Sequence, residues 1–317
     1  MKKKILVTGS LAHDYIMNFP DSFKNHIMPE KIHILSVSFV ADTLNKQQGG
    51  TAGNIAYTLK LLGEEPLIFS TVGNDFDQYE SWLKKKKIDT THIKHYEKEL
   101  TASCHIVTDK DDNQISAFHG GAMFKNDISL KPILDTEDIG MAIVSPNGKD
   151  GMLRYVYELS ETTIPFIFDP GQNIPLFSKD ELKECIARST MLIVNDYELA
   201  LIEKGSGYTL ETLKNMLEYV IVTLGKKGSI IHDKNNSIRI PPAKPENTSD
   251  PTGAGDAFRA GLIKGLINNT GLETAGKIGS VSSVYTVEKY GTQTHAFTMK
   301  EFNKRFKDNF GKQLKIS

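Results

Sequence analysis

Ser249-Asp250-Pro251-Thr252-Gly253-Ala254-Gly255-Asp256-Ala257-Phe258-Arg259-Ala260-Gly261 brings two spaced glycines, a carboxylate and the start of an amphipathic run together. From Asp256 onward Phe258, Leu262, Ile263, Leu266 and Ile267 recur at helical spacing, while Ala257, Ala260 and Gly261 leave room for a close neighbour. The stretch reads as a loop feeding a helix. Gly253 and Gly255 then lie at the helix N-terminus, where backbone N–H groups lack intrahelical partners and the macrodipole is positive. Glycines there let a phosphate approach without meeting a side chain. Asp256, in the first turn, is kept ionised by the positive helix end and can accept a proton from an attacking hydroxyl. Taken alone, the same residues also fit an ordinary first-turn acid behind a shaped loop.

This stretch resembles the C-terminal signature of the ribokinase (PfkB) family of ATP-dependent sugar and nucleoside kinases, Asp-Thr-x-Gly-Ala-Gly-Asp-x-Phe, with Pro251 where the family carries Thr. The resemblance implies that Asp256 is the catalytic base. It also implies an anion hole at Gly253, Ala254 and Gly255, with the amides of Ala254, Gly255 and Asp256 pointing at the anion.

At 317 residues the chain is long enough for one large α/β domain with a substantial core. A net charge of −1 gives no electrostatic warrant for nucleic acid or an anionic membrane as partner. Lys84-Lys85-Lys86-Lys87 closes an expected helix, where cations suit the negative end of the dipole. Cys104 and Cys185 show no pairing pattern or metal-ligand spacing, which fits a reducing cytosol and a cytoplasmic protein. The histidines lack zinc or iron spacing, and no apolar run is long enough for a membrane span. Lys2-Lys3-Lys4 followed by Ile5-Leu6-Val7 reads as a first strand, because turn residues interrupt the apolar part too early for a signal peptide.

Strand-like and helical runs alternate along the chain: strand 5–8, helix 51–62, strand 67–72, helix 76–86, strand 141–145, helix 148–160, strand 166–169, helix 179–188 and strand 191–195. Strands at 219–223, 229–232 and 237–240 follow, then helices beginning near Gly253, Leu272 and Thr298. Strands apolar on both faces predict a mostly parallel sheet covered on both sides, with ligands beyond the carboxyl ends of the strands. Two regions break the alternation. Residues 12–48 hold a strand-like Ile32–Val40, and residues 100–120 read as a hairpin, 101–108 and 114–119, joined by Asp109-Lys110-Asp111-Asp112-Asn113. These short strands form either a small projecting sheet or an irregular edge. The family resemblance favours a β-sheet lid on a single ribokinase-like three-layer α/β/α sandwich spanning 1–317.

Further site candidates sit at strand ends. Gly49-Gly50-Thr51-Ala52-Gly53-Asn54 opens a helix, and Asn54 offers both donor and acceptor to a hydroxyl. It matches the family's Gly-Gly-x-x-x-Asn signature, which implies sugar binding by Gly49, Gly50 and Asn54. Asp14, after the first strand, can accept from two vicinal hydroxyls at once; the resemblance implies that it grips the ribose diol, with Ser10 and Ser38 beside it. Asn195 and Glu198 fit either a helix cap or, by resemblance, the Asn-x-x-Glu motif that organises Mg²⁺ indirectly near phosphate. Thr223, Gly225 and Gly228 resemble the turn that cradles ATP phosphates. Asp250 and Thr252 are implied as a monovalent-cation site, with K⁺ as the ion.

Blocks from Thr8 to Gln293, including Ile34-Leu35-Ser36-Val37-Ser38-Phe39 and Gly291-Thr292-Gln293, are similar to adenosine kinases of the mycobacterial type. The resemblance implies an adenosine kinase using ATP and Mg²⁺ and transferring the γ-phosphate to the 5′-hydroxyl. A ribose or fructose kinase and a broader purine nucleoside kinase are the alternatives. Phe118 could stack on the base while Gln172 and Asn173 meet its polar edge. Cys104 stands where those relatives carry an aromatic residue, which bears on the base pocket. A homodimer through the lid edge is expected by analogy.

Overall fold

Every central strand carries apolar side chains on both faces, and each face is buried under helices. The computed structural model describes residues 2–111, 113–126 and 128–314. In chain order its strands are β1 (Lys4–Thr8), β2 (Ala12–Asn18), β3 (Thr43–Gly49), β4 (Pro66–Gly73), β5 (Ile93–Tyr96), β6 (Ala102–Thr108), β7 (Gln114–His119), β8 (Ile139–Val144), β9 (Phe166–Phe168), β10 (Met191–Asn195), β11 (Tyr219–Thr223), β12 (Ser229–His232) and β13 (Ser237–Ile240). The helices are α1 (Thr51–Leu61), α2 (Asp77–Lys85), α3 (Lys131–Thr136), α4 (Lys149–Ser160), α5 (Lys179–Arg188), α6 (Asp196–Ser206), α7 (Leu210–Met216), α8 (Ala254–Ile267), α9 (Leu272–Val287) and α10 (Met299–Phe310).

A nine-stranded sheet runs β13-β12-β11-β10-β9-β8-β1-β4-β5, parallel from β5 to β11 and antiparallel at β12 and β13. Ile5, Val7, Ile193 and Ile221 face Ile55 of α1 and Phe258 and Leu262 of α8. Leu6, Leu192, Val194 and Val220 face Tyr155 of α4, Ile186 of α5 and Ile202 of α6. This is the expected α/β/α sandwich, with α3, α6 and α7 as helices that the periodicity did not reveal. The chain leaves β1 for β4 and β5, then returns to β8 on the other side of β1. The β1/β8 boundary is therefore the switch point, the place where sheets of this kind bind ligands beyond the carboxyl ends of their strands.

The small sheet is present, in the order β3-β2-β6-β7. Its β6–β7 hairpin is as expected, with Asp112 of the turn outside the described residues. Its other half is a correction: Ile32–Val40 is not a strand. Pro29–Ile34 is a 3₁₀ turn and the chain beyond it is irregular. Ile32, Ile34 and Val40 are exposed, so their apolar character reflects no sheet face, and Phe39 anchors the segment against Phe19 and Phe23 at 4.9 Å. The pairing strands are β2 and β3, which are largely polar because this sheet meets solvent and so carry little hydrophobic alternation.

His295 is wholly buried, with Thr58 Oγ1 3.2 Å from Nε2 and Thr286 Oγ1 3.4 Å from Nδ1. Burial pushes its pKa down to about 4. Between an unfolded value of about 6.5 and this folded value, the unfolded chain binds more protons, so stability falls as pH drops through that window. His295→Gln should flatten this slope in urea unfolding midpoints taken from pH 7 to 4. The raised carboxylates described below tilt the curve the other way, so the wild-type minus variant difference isolates His295. Parallel slopes would contradict the assignment.

Candidate active site

Gly253 holds φ +77° at the start of α8, a left-handed backbone that glycine adopts without strain, and a Cβ there would come within 2.9 Å of Thr292 Cγ2. Ala257 N–H donates to Gly253 O at 3.0 Å, opening the helix. Ala254 N–H is already committed to Pro251 O at 3.2 Å, which narrows the expected anion hole. Among the described residues the amides of Gly255 and Asp256 remain the orphan donors of this turn.

Asp256 Oδ2 accepts from Asn54 Nδ2 at 2.8 Å, so α8 and α1 meet at this carboxylate across 202 residues of sequence. One turn further along α8, Arg259 grips the buried Asp169 carboxylate after β9 with two bonds, Nε to Oδ2 at 2.5 Å and Nη2 to Oδ1 at 2.6 Å. A Cβ on Gly255 would lie 2.8 Å from Arg259 Nη1, so the absent side chain leaves room for the guanidinium beside the orphan amides. Burial pushes the Asp256 pKa up to about 6, opposed by the Arg259 charge and the Asn54 hydrogen bond, with Asp169 adding a small upward push.

Asp14 lies on the same rim. Burial, followed by the charges of Asp256 and Asp250, pushes its pKa up to about 7. Its carboxylate fills the space over Gly49, where a Cβ would sit 2.2 Å from Oδ2. Register places Asp14 opposite Cys104 on β6, and Cys104 opposite Phe118 on β7, so the three share one face of the small sheet. Phe118 is 54% exposed. Burial and the Asp14 charge raise the Cys104 thiol.

The remaining expected substrate residues divide by what they already hold. Ser10 Oγ accepts from Thr51 N–H at 3.2 Å and thereby caps α1 from outside the helix, while Gly50, at φ +86°, packs against the Ser10 carbonyl. Asn173 turns its amide nitrogen inward to Asn147 O at 2.6 Å, leaving Gln172 exposed beside it. Ser38 is exposed on the irregular segment, and among the described residues no hydrogen bond ties it to Asp14.

On the other side of α8, Asn195 and Thr223 are register partners at the carboxyl ends of β10 and β11. Asn195 Oδ1 accepts from Glu198 N–H at 2.7 Å, and Glu198 Oε2 from Asn195 N–H at 2.8 Å, a reciprocal cap on α6. The structural reading of this motif is thus present, and the cap holds Glu198, half-buried with its pKa raised chiefly by burial, facing the Arg259 charge. Thr223 Oγ1 donates to Val194 O at 3.4 Å. At the following turn Gly225 has φ +54° and open space around its Cα, whereas a Cβ on Gly228 would strike Ile240 O. Asp250 accepts from Thr252 N–H at 2.9 Å and Gly291 N–H at 3.1 Å, which leaves further lone pairs on its oxygens.

Arg259 and Asp169 escaped assignment because their pairing spans 90 residues, although Arg259 stands out as a cation in an apolar helix. Gln293 also escaped, although its Nε2 donates to Asn54 Oδ1 at 3.0 Å. It lies in a loop, where periodicity carries no signal.

The family model for pfkB family carbohydrate kinases matches residues 25–298. A nucleoside kinase of Methanocaldococcus jannaschii is 33% identical over 295 residues, covering 92% of this chain and 93% of that protein. The structure of Burkholderia thailandensis nucleoside kinase in complex with inosine superposes with a TM-score of 0.88 at 35% identity, covering 98% of this chain and 99% of that one. The same enzyme in complex with ADP-inosine gives a TM-score of 0.87 at 36% identity, with coverage of 99% and 98%. These relatives replace the narrower likeness to mycobacterial adenosine kinases with a likeness to nucleoside kinases as a group.

Proposed function

The chain belongs to the pfkB family of carbohydrate kinases and is an ATP-dependent phosphotransferase with an alcohol acceptor, of the nucleoside kinase kind; from that premise we propose that it phosphorylates the 5′-hydroxyl of purine nucleosides, adenosine among them. The observation that carries this reading is the convergence of Asp256, Asn54 and Asp14 on one rim beside the orphan amides of α8. Phe118 favours a nucleoside over a free sugar: it lies two strand spacings, about 10 Å, from Asp14 on the same sheet face, which suits a diol at one end and a flat base at the other. Cys104 between them is small enough to accommodate either an amino or an oxo purine, and the inosine complexes of the Burkholderia enzyme support that breadth.

In the proposed reaction the 5′-oxygen bonds to the γ-phosphorus as the bond to the β–γ bridging oxygen breaks. Asp256 takes the hydroxyl proton, and nucleoside plus ATP become nucleoside 5′-monophosphate plus ADP. The amides of Gly255 and Asp256, with the α8 dipole, face the charge that spreads over the transferred group. In this reading the ATP phosphates lie over the turn from Thr223 to Gly228, a placement supported by the open space where a Gly225 side chain would stand. Mg²⁺, when bound with ATP, neutralises phosphate charge. Such a small hard ion keeps most of its shell on phosphates and water, so Asn195 and Glu198 would act through its water. A K⁺ ion at Asp250 and Thr252 belongs to the same reading, supported by the free lone pairs of Asp250. So does a dimer through the small sheet, supported by the exposed Leu44 and Ile115 on its outer face. A reducing, cytoplasmic setting suits the free thiols Cys104 and Cys185. Among the described residues no helix is long and apolar enough to cross a membrane.

ADP release measured over adenosine, inosine, guanosine, cytidine, ribose and fructose tests the substrate class. Purine nucleosides should give the highest kcat/KM, and a sugar as best acceptor would overturn the reading. Asp14→Ala should raise the nucleoside KM about 10- to 100-fold, the cost of a charge-assisted hydrogen-bond pair, and leave kcat within about threefold. An unchanged KM with a lowered kcat would contradict the diol role.

A further inference from the structure

We propose that Trp82, acting through Gln293 and Asn54, polarises a hydrogen-bond relay that ends on Asp256, which makes Trp82 and Gln293 positioning residues for the base. The inference rests on the reading of Asp256 as the base of a nucleoside kinase.

Trp82 of α2 donates from Nε1 to Gln293 Oε1 at 3.2 Å. Gln293 Nε2 donates to Asn54 Oδ1 at 3.0 Å, and Asn54 Nδ2 donates to Asp256 Oδ2 at 2.8 Å. An indole N–H can only donate, whereas the two ends of an amide are nearly isosteric. The indole therefore decides which end of Gln293 faces it, Gln293 decides which end of Asn54 faces it, and an N–H is left pointing at the carboxylate. A second anchor imposes the same polarity. The other Gln293 N–H donates to Tyr79 Oη, whose own proton goes to Gly49 O at 2.9 Å. Tyr79, Gln293 and Asn54 are all buried, so water does not readily substitute for a lost partner. Gly53 makes room for the relay, since a Cβ there would lie 2.0 Å from Tyr79 Oη.

A reversed Asn54 would set Oδ1 against the Asp256 carboxylate and Nδ2 against the Gln293 amide nitrogen, two repulsive contacts. The relay thus holds the ionised base aimed at the acceptor alcohol. The other charged groups that act on Asp256 are Arg259 on its own helix and Asp169 after β9, with Asp14 on β2 sensing it across the rim. None of these bonds to Trp82 or Gln293 among the described residues, so a change at Trp82 reads the relay alone.

Trp82→Phe deletes the N–H and keeps a ring beneath the Lys86 ammonium, which sits 4.3 Å from the indole centroid. The expected result is an acid limb of kcat moved up by about half to one pH unit and a plateau kcat lowered about tenfold, the scale of one weakened charge-assisted bond, with nucleoside KM within about threefold. Gln293→Leu should do at least as much, and the double variant no more than Gln293→Leu alone, because both act on one path. A Trp82→Phe enzyme with the wild-type acid limb and kcat overturns the relay, as does a double variant whose losses multiply; if Gln293→Leu does not fold, Trp82→Phe decides alone. The Asp256 carboxyl, titrated by ¹³C NMR in the full chain and identified by its loss in Asp256→Asn, should shift upward in Trp82→Phe. An unmoved titration counts against the relay even if the wild-type chain phosphorylates no nucleoside, a result that would instead sink the functional reading.

Discussion

Asp256→Asn should lower kcat by about 10³-fold, within the range by which a positioned general base accelerates proton transfer, while nucleoside affinity should stay within a few-fold. The substitution keeps shape and still offers an oxygen to Asn54 Nδ2, so the rim of α1 and α8 is preserved. It removes only the lone pair proposed to take the alcohol proton. With Asp256 as the proposed base, this carboxylate must be ionised, so activity should be present above its pKa of about 6 and lost as pH falls through it. In the variant that acid limb disappears. The Asp14 carboxyl, pushed up partly by the Asp256 charge, titrates lower. ADP release from pH 5 to 9 and calorimetric nucleoside binding measure the two halves separately. A variant within a few-fold of wild-type kcat would remove Asp256 from the base role.

Arg259→Met should cost about 3–5 kcal/mol of folding stability, because it strands the Asp169 carboxylate, whose side chain is 1% exposed, without its bidentate partner. For a chain of this size that corresponds to a melting temperature lower by about 10 °C. The same change removes the strongest influence that keeps the Asp256 pKa from rising further, so whatever activity survives has its acid limb at higher pH. Arg259→Lys should recover little, since an ammonium cannot make the planar two-point contact. Removing both charges in Asp169→Asn with Arg259→Met should recover part of the stability without restoring the acid limb. Calorimetric melting of the variants checks the first claim, and a loss under about 2 °C for Arg259→Met would show that the pair is not the buried anchor described.

The helix start that carries Asp256 and its glycines was legible because it is one contiguous segment, in which helical spacing, glycine placement and first-turn charge all act locally. The central strands were legible for a related reason, since burial on both faces leaves continuous apolar runs such as Met191–Val194. The small sheet was half legible. Its β6–β7 hairpin is punctuated by turn residues, but β2 and β3 carry Asp14, Asn45, Gln47 and Gln48 and show no apolar period. The exposed apolar residues between 28 and 40 drew the strand assignment to the wrong place.

By itself, then, the sequence determined the layered α/β fold, the glycine-flanked start of α8 and the candidate acid and amide residues around it. Each of those follows from short-range rules of spacing and backbone freedom. Only the tertiary structure decided which end of Asn54 faces Asp256, that Arg259 is held by Asp169, and that Ala254 spends its amide on Pro251. Hydrogen-bond polarity and charge pairing in a buried site depend on partners up to some two hundred residues away, and no local pattern in the chain carries that information.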